Sequence, residues 1–264
     1  MKIEIIIITS NSLRHRFFAE SLCRGLEVKK VFIEGNFSQP EYIKYENLNI
    51  VDKHFAHRHN SEIDFFSDNY NLLESKLSFI QKDFINSKVF LDQVKDLKPN
   101  LIITYGCSII RGEILNLFKD RIINIHLGIS PYYKGSGTNF HALVNNEFKY
   151  FGYSIIYMNE EIDGGEIIHQ SQADFFEFDS PHTVGNRLIK KMVFDTLILL
   201  ENFHLVERKK IPNIKFKEKY FKRRDSNEST VSKLYKDFSK NLIAYLQNHE
   251  NDKKIEIITQ SFIK

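Results

Sequence analysis

Apolar residues in this chain keep two rhythms, one dense and one spaced. Lys2–Thr9 reads KIEIIIIT, a nearly unbroken β-branched run, as in a strand buried on both faces. Ser10-Asn11-Ser12 follows, with Ser12 placed to cap a helix. Phe17, Phe18, Leu22 and Leu26 then recur at helical spacing, and Gly25 lies near the helix end. Val28–Glu34 is a second short strand. This β-α-β opening predicts a parallel sheet with a right-handed crossover.

Gly35–Asn69 reads as polar and irregular and holds His54, His57 and His59. Asn71–Leu97 carries helical periodicity through Leu73, Leu77, Ile80, Phe84 and Leu91, with a break near Asn86-Ser87 and an end at Pro99. Asn100–Tyr105 is a buried strand. Gly106-Cys107-Ser108 then turns into a short helix reaching Phe118, and Arg121–His126 is the next strand. Thr138–Asn146 predicts a short helix, and Tyr150–Met158 and Glu166–Phe178 predict strands joined by the turn Asn159–Gly165. Asp179-Ser180-Pro181 opens a helix to about Phe203, with Val184, Leu188, Met192 and Leu199 facing inward. After Val206 the composition changes. Glu207–Arg224 is rich in lysine and arginine, Ser229–His249 is an amphipathic helix, and Ile255–Ile263 predicts a last strand. The expected organisation is a core over 1–205 with a C-terminal linker and appendage over 206–264.

Composition narrows the classes. The 264 residues are 42% hydrophobic and 27% charged, which suits a globular chain rather than a disordered one. A formal charge of +3 is too small to imply a nucleic-acid partner. Cys23 and Cys107 stand far apart without a CxxC and read as reduced, buried thiols of a cytosolic protein. Ile3–Ile8 is too short for a secretory core, and no apolar run approaches a membrane span. A cytoplasmic protein without a membrane partner is expected. The three histidines His54, His57 and His59 lack an obvious fourth ligand and read as solvated loop residues, with no metal.

The chemistry concentrates between Arg121 and Gln170. Asn124 and His126 are two apart on a strand, so their side chains share a side, at the C-terminal end where open α/β sheets place their sites. Taken alone, Asn124 reads better as a turn cap and His126 as an ordinary strand-end histidine. The context adds a loop, Ser130-Pro131 through Lys134-Gly135, with a rigid start and a flexible end. Asp163-Gly164-Gly165 then supplies a carboxylate beside residues of unusual backbone freedom. An amide, an imidazole and a carboxylate at strand ends suit acyl transfer.

The ordered set Asn124-Ile125-His126, Ser130-Pro131, Lys134-Gly135 and Asp163-Gly164-Gly165 closely resembles the formyltransferases that use N10-formyltetrahydrofolate. These include glycinamide ribonucleotide, methionyl-tRNA and nucleotide-amino-sugar formyltransferases. Looser resemblance covers residues 1 to about 205. It implies a Rossmann-like α/β fold, a mostly parallel twisted sheet flanked by helices. It also implies catalytic roles for Asn124 and His126 as oxyanion donors and for Asp163 as the partner of His126. The folate co-substrate would be cupped by Tyr105, Gly106, Cys107, Ser108, Ile109 and Ile110 and by the turn at Glu161 and Ile162. Arg111 either meets the folate tail or is solvated.

The acceptor is read from departures among the branches. Where the ribonucleotide enzyme has a glycine-containing phosphate loop, this chain has Thr9-Ser10-Asn11-Ser12 followed by LRHR. Substrate contacts there would use Asn11, Arg14 and Arg16, alongside Lys134 and Gly135 of the active loop; a simple helix cap with solvated basic residues is the other reading. Asn139 and His141 either touch substrate or pack. Too few residues follow Lys209 for the barrel of the tRNA enzyme, and the run Lys217–Arg224 reads as a solvated basic linker rather than a tRNA contact. Lys219–Arg224 followed by Glu228-Ser229 looks like the amino-sugar branch, whose members often dimerise. The expected partner is therefore a nucleotide-linked amino sugar, not a nucleic acid, with homodimerisation as a further expectation. A tRNA or ribonucleotide acceptor, and a catalytically idle relative, are the alternatives.

Overall fold

The computed structural model describes residues 3–36, 41–67, 74–209, 218–248 and 255–263. Leu73 and the basic residues within 210–217 lie outside the described residues. The chain begins with β1 (Glu4–Ser10), α1 (Leu13–Gly25), β2 (Glu27–Glu34), α2 (Ile50–Phe66), β3 (Leu77–Ile80) and α3 (Lys88–Leu97). It continues through β4 (Leu101–Tyr105), α4 (Glu113–Leu117), β5 (Ile122–His126), β6 (Tyr133–Gly135) and α5 (Thr138–Val144). It ends with β7 (Gly152–Tyr157), β8 (Ile167–Gln172), α6 (Pro181–Glu201), β9 (Lys219–Phe221) and α7 (Glu228–Asn248).

Seven strands form one sheet in the order β3-β2-β1-β4-β5-β7-β8. The first five run parallel, and β7 pairs antiparallel with both β5 and β8. Unbroken β-branched runs place β1, β4 and β5 in the middle, where both faces are covered. Side chains alternate between two apolar layers, as strand geometry requires. Ile5 and Ile7 join Phe18 and Leu22 of α1 and Leu188 and Met192 of α6. Ile6, Ile8, Ile102 and Ile122 join Phe90 of α3 and Ile114 of α4 on the other face. No helix among the described residues is long and apolar enough to cross a membrane.

Several sequence expectations are corrected. Residues 50–66 form helix α2 rather than irregular chain; its Asn49 cap accepts from the Asp52 N–H at 2.9 Å. Its buried positions include His54, Asn60 and Glu62, so the apolar periodicity that announces a helix is interrupted. His54 is accordingly 6% exposed and not a solvated loop residue. Leu77–Ile80 is an edge strand beside β2, not part of a long helix, and the helix begins only after Ser87 caps it through the Phe90 N–H. Residues 106–112 stay non-helical before the short α4. Ser12 holds the cap position of α1 but makes no side-chain cap bond. Residues 255–260 form no strand; Ile258 touches β8 through Gln170, whose N–H donates to the Ile258 carbonyl at 2.7 Å. Both cysteines are half-buried, and burial pushes their thiols up to about 11 for Cys23 and about 12 for Cys107, so neither is a ready nucleophile.

Candidate active site

Asn124 and His126 leave β5 on the same face, the face covered by α3 and α4. Beyond Tyr157 and Met158 the chain arches back over that face, so a residue of the following turn reaches the end of β5. That residue is Asp163, held at a left-handed φ of 51°. Its Oδ1 accepts from the Asn124 amide at 3.2 Å, and its Oδ2 lies 3.4 Å from His126 Nδ1. Oδ2 also accepts from the Gly135 N–H at 2.9 Å. The His126 and Asp163 side chains are only 7% and 9% exposed, so the pair interacts with little solvent screening.

The amide of Asn124 is oriented from behind. Thr104 sits opposite it in the ladder, and its hydroxyl donates to Asn124 Oδ1 at 3.0 Å. This fixes which end of the amide carries the N–H groups and turns Nδ2 to Asp163. One of its two amide protons meets Asp163, which leaves the second for a ligand. Thr104 escaped the sequence reading because its role depends on lateral strand pairing.

The loop after β5 is pinned on its far side. Ser154 donates to the Gly128 carbonyl at 2.7 Å and accepts from the Ser130 N–H at 2.9 Å. Gln170 donates to the Ser130 carbonyl at 2.7 Å, next to a cis Ser130-Pro131 bond. The loop then runs into β6, where the Tyr133 carbonyl lies 3.0 Å from His126 Nε2.

An amide, an imidazole and a carboxylate thus converge at the end of the central parallel strands, with the carboxylate touching both partners. Residues 1–198 match the formyl transferase family. The chain belongs to that family. A methionyl-tRNA formyltransferase from Buchnera aphidicola is 32% identical over 159 residues, covering 60% of this chain and 45% of that relative. The chain therefore spans about half the length of the curated relatives it matches. A sugar N-formyltransferase from Shewanella sp. superposes with a TM-score of 0.54 at 19% identity, covering 84% of this chain and 78% of the other. The formyltransferase PseJ from Anoxybacillus kamchatkensis, solved with UDP-4,6-dideoxy-4-formamido-L-AltNAc and tetrahydrofolate, gives 0.50 at 20% identity, covering 88% and 97%. At such identities the solved structures establish the shared Rossmann-like α/β fold. Phosphoribosylglycinamide formyltransferases also superpose.

The two segments expected to cup a folate carry apolar side chains beside backbone groups. Cys107 and Ile110 from one segment and Met158, entering the other, border a single apolar cluster. Ile109 and Ile162 stand exposed on the two rims. Glu34 braces the Ser108 N–H at 2.6 Å, and Asn86 spans the Ile109 carbonyl and the Arg111 N–H, both at 2.9 Å. The Ser108 hydroxyl is buried without a partner, a polar group that a ligand would satisfy. The Tyr105 ring belongs to the opposite face, 4.4 Å from His15, so only the backbone of Tyr105 and Gly106 remains for this role. Among the described residues, no group of three or more His, Cys, Asp or Glu is placed to hold a metal.

The expected substrate contacts are mostly engaged within the protein. Asn11 accepts from Arg16 Nε at 2.6 Å, and Arg16 is 4% exposed. Arg14 pairs with Glu62 at 2.5 Å, and Arg58 approaches the same carboxylate at 3.7 Å. Burial, with Arg14 and Arg223 nearby, lowers the Arg58 guanidinium to about 10. Burial, aided by Arg14 and Arg58, holds His15 well below its ordinary value. Lys134, almost wholly buried, grips Glu161 at 2.6 Å and Glu218 at 3.0 Å. It ties β6 to the Asp163 turn instead of standing ready for a substrate. Asn139 brackets Gly152, and His141 stacks on Phe221 at 4.0 Å, so both pack.

Proposed function

We propose that this chain transfers a formyl group from N10-formyltetrahydrofolate to a primary amine. The carrying observation is the single carboxylate of Asp163 in contact with both Asn124 and His126. The amine nitrogen attacks the formyl carbon, and the carbonyl electron pair moves onto oxygen. The free Asn124 N–H stabilises that oxyanion, and the charge of His126 adds to the field; such a donor is worth ~3 kcal/mol, or 10²–10³ in rate. His126 donates directly once substrate entry opens one of its two contacts. Asp163 takes the amine proton, directly or through water. The oxyanion then re-forms the carbonyl, the C–N10 bond breaks, N10 receives the proton that Asp163 took up, and tetrahydrofolate leaves.

We assign the acceptor to the nucleotide-linked amino sugars. Support comes from the likeness of Lys219–Arg224 to that branch and from fold matches to sugar N-formyltransferases that reach 84% and 88% of this chain. The identity to methionyl-tRNA formyltransferase favours a second reading, in translation. The test is incubation with N10-formyltetrahydrofolate and UDP-, GDP- or dTDP-amino sugars, glycinamide ribonucleotide, or charged initiator tRNA. Tetrahydrofolate release with a nucleotide amino sugar alone is the expected result. Release only with tRNA or the ribonucleotide overturns the sugar assignment.

A further inference from the structure

Strand β6 is only three residues long, yet both of its edges are used. In an extended strand, successive residues direct their backbone groups to opposite sides. The odd positions face the site, where the Tyr133 carbonyl meets His126 and the Gly135 N–H meets Asp163. The even positions face the C-terminal segment. The Lys219 N–H donates to the Tyr132 carbonyl at 3.0 Å, and the Ser136 N–H donates to the Phe221 carbonyl at 2.9 Å. In the resulting two-stranded parallel sheet Tyr133, Lys134 and Gly135 stand opposite Lys219, Tyr220 and Phe221.

We propose that β9 is a working part of the transfer site. It holds the backbone of residues 133–135 in the register that serves His126 and Asp163, with Phe221 as its main positioning residue. This rests on the roles assigned above to those two side chains. Three further contacts lock the register. The Phe221 ring lies between Tyr133, stacked at 5.6 Å, and His141, stacked at 4.0 Å. Glu147 accepts from both Lys219 and the Tyr133 hydroxyl, tying the two strands side chain to side chain. At Gly135 the φ of +93° and an added Cβ 2.1 Å from the Phe221 carbonyl leave no room for a side chain, so the two backbones approach closely there. A short strand with few ladder bonds does not hold its own register. Without β9, the Gly135 N–H and the Tyr133 carbonyl lose their fixed positions.

The test compares Phe221→Pro and Phe221→Tyr in the full chain. Proline removes a ladder N–H and the ring, while tyrosine keeps both. The readouts are kcat and KM with the amine that the wild type accepts, amide exchange at Gly135, and the imidazole nitrogen signals of His126. Phe221→Pro is expected to lower kcat about tenfold or more with KM changed less than about threefold, since displaced catalytic groups cost turnover before binding. Gly135 exchange is expected to rise at least about tenfold, and Phe221→Tyr to stay within about threefold of wild type. If Phe221→Pro does not fold, Lys219→Ala, which unties β9 from Glu147, is read the same way, with about a threefold loss in kcat expected. A folded Phe221→Pro protein with wild-type kcat, Gly135 exchange and His126 signals overturns the proposal. If the wild type transfers formyl to no acceptor, the formyl reading fails separately. Gly135 exchange and the His126 signals then still decide the role of β9.

Discussion

The carbonyl of Tyr133 lies 3.0 Å from His126 Nε2, while Nδ1 of the same ring lies 3.4 Å from Asp163. A carbonyl only accepts, so Nε2 carries a proton. The carboxylate oxygen near Nδ1 also accepts from the Gly135 N–H. Both ring nitrogens thus face acceptor oxygens, which fix the direction of the imidazole at the end of β5. A ring N–H held in a fixed direction suits a negative oxygen developing nearby.

Thr104 is the orienting residue for Asn124. Thr104→Val keeps the shape and removes the donor to Asn124 Oδ1, so the amide loses its preferred direction. One such hydrogen bond is worth about 0.5–1.5 kcal/mol, which predicts about a threefold to tenfold fall in kcat. Thr104→Ser should recover most of it. Steady-state kinetics of the two variants decides; equal kcat in valine and serine forms would remove Thr104 from the account.

Gly165 ends the turn that carries Asp163. A Cβ there would sit 1.6 Å from the Tyr157 carbonyl, a backbone atom that cannot step aside. Gly165→Ala should therefore cost about 1–3 kcal/mol or more and displace Asp163 with the turn. Thermal melts and turnover should fall together. An alanine variant with unchanged melting and activity would show that the turn has slack.

His54 of α2 and His182 of α6 share the hydroxyl of Tyr235 on α7, at 3.0 and 2.8 Å. Burial, then Arg58 and His57, lowers His54 to about 4; burial, then His54, Arg58 and His57, lowers His182 to about 3. Both rings are neutral in the fold, whereas the unfolded chain protonates near its ordinary value of about 6.5. Their contribution is complete above about pH 6.5 and falls as the pH drops toward about 4 and below. The slope is up to about 1.4 kcal/mol per pH unit for each ring, less for the more exposed one. Urea midpoints should drop between about pH 7 and pH 5, and less so in His54→Gln/His182→Gln. Identical slopes in the two proteins would assign the acid sensitivity elsewhere.

The sheet was legible where a strand is buried on both faces. Ile5–Ile8, Leu101–Tyr105 and Ile122–His126 are apolar runs that admit few other readings. Helix α2 was not, because His54, Asn60 and Glu62 interrupt the apolar Ala56, Ile63 and Phe66 on its inner face, and Asn60 spends its amide on the backbone of Ile43. Leu77 and Ile80, three apart, imitate a helical face although they belong to an edge strand. The residues that meet at the candidate site share one continuous stretch and so could be read together. Thr104 and Phe221 could not, since each reaches the site through a neighbouring strand that only folding supplies.

The most direct test is the rate of tetrahydrofolate release from N10-formyltetrahydrofolate, with the accepted amine, in wild type, Asp163→Asn and His126→Gln. Both substitutions keep the size of the side chain, and folding is checked by circular dichroism. A fall of about 10²-fold or more in kcat is expected for each folded variant. The double variant should be little worse than the worse single one, because the two act as a unit. A folded Asp163→Asn or His126→Gln protein that releases tetrahydrofolate at close to the wild-type rate would contradict the proposed transfer mechanism.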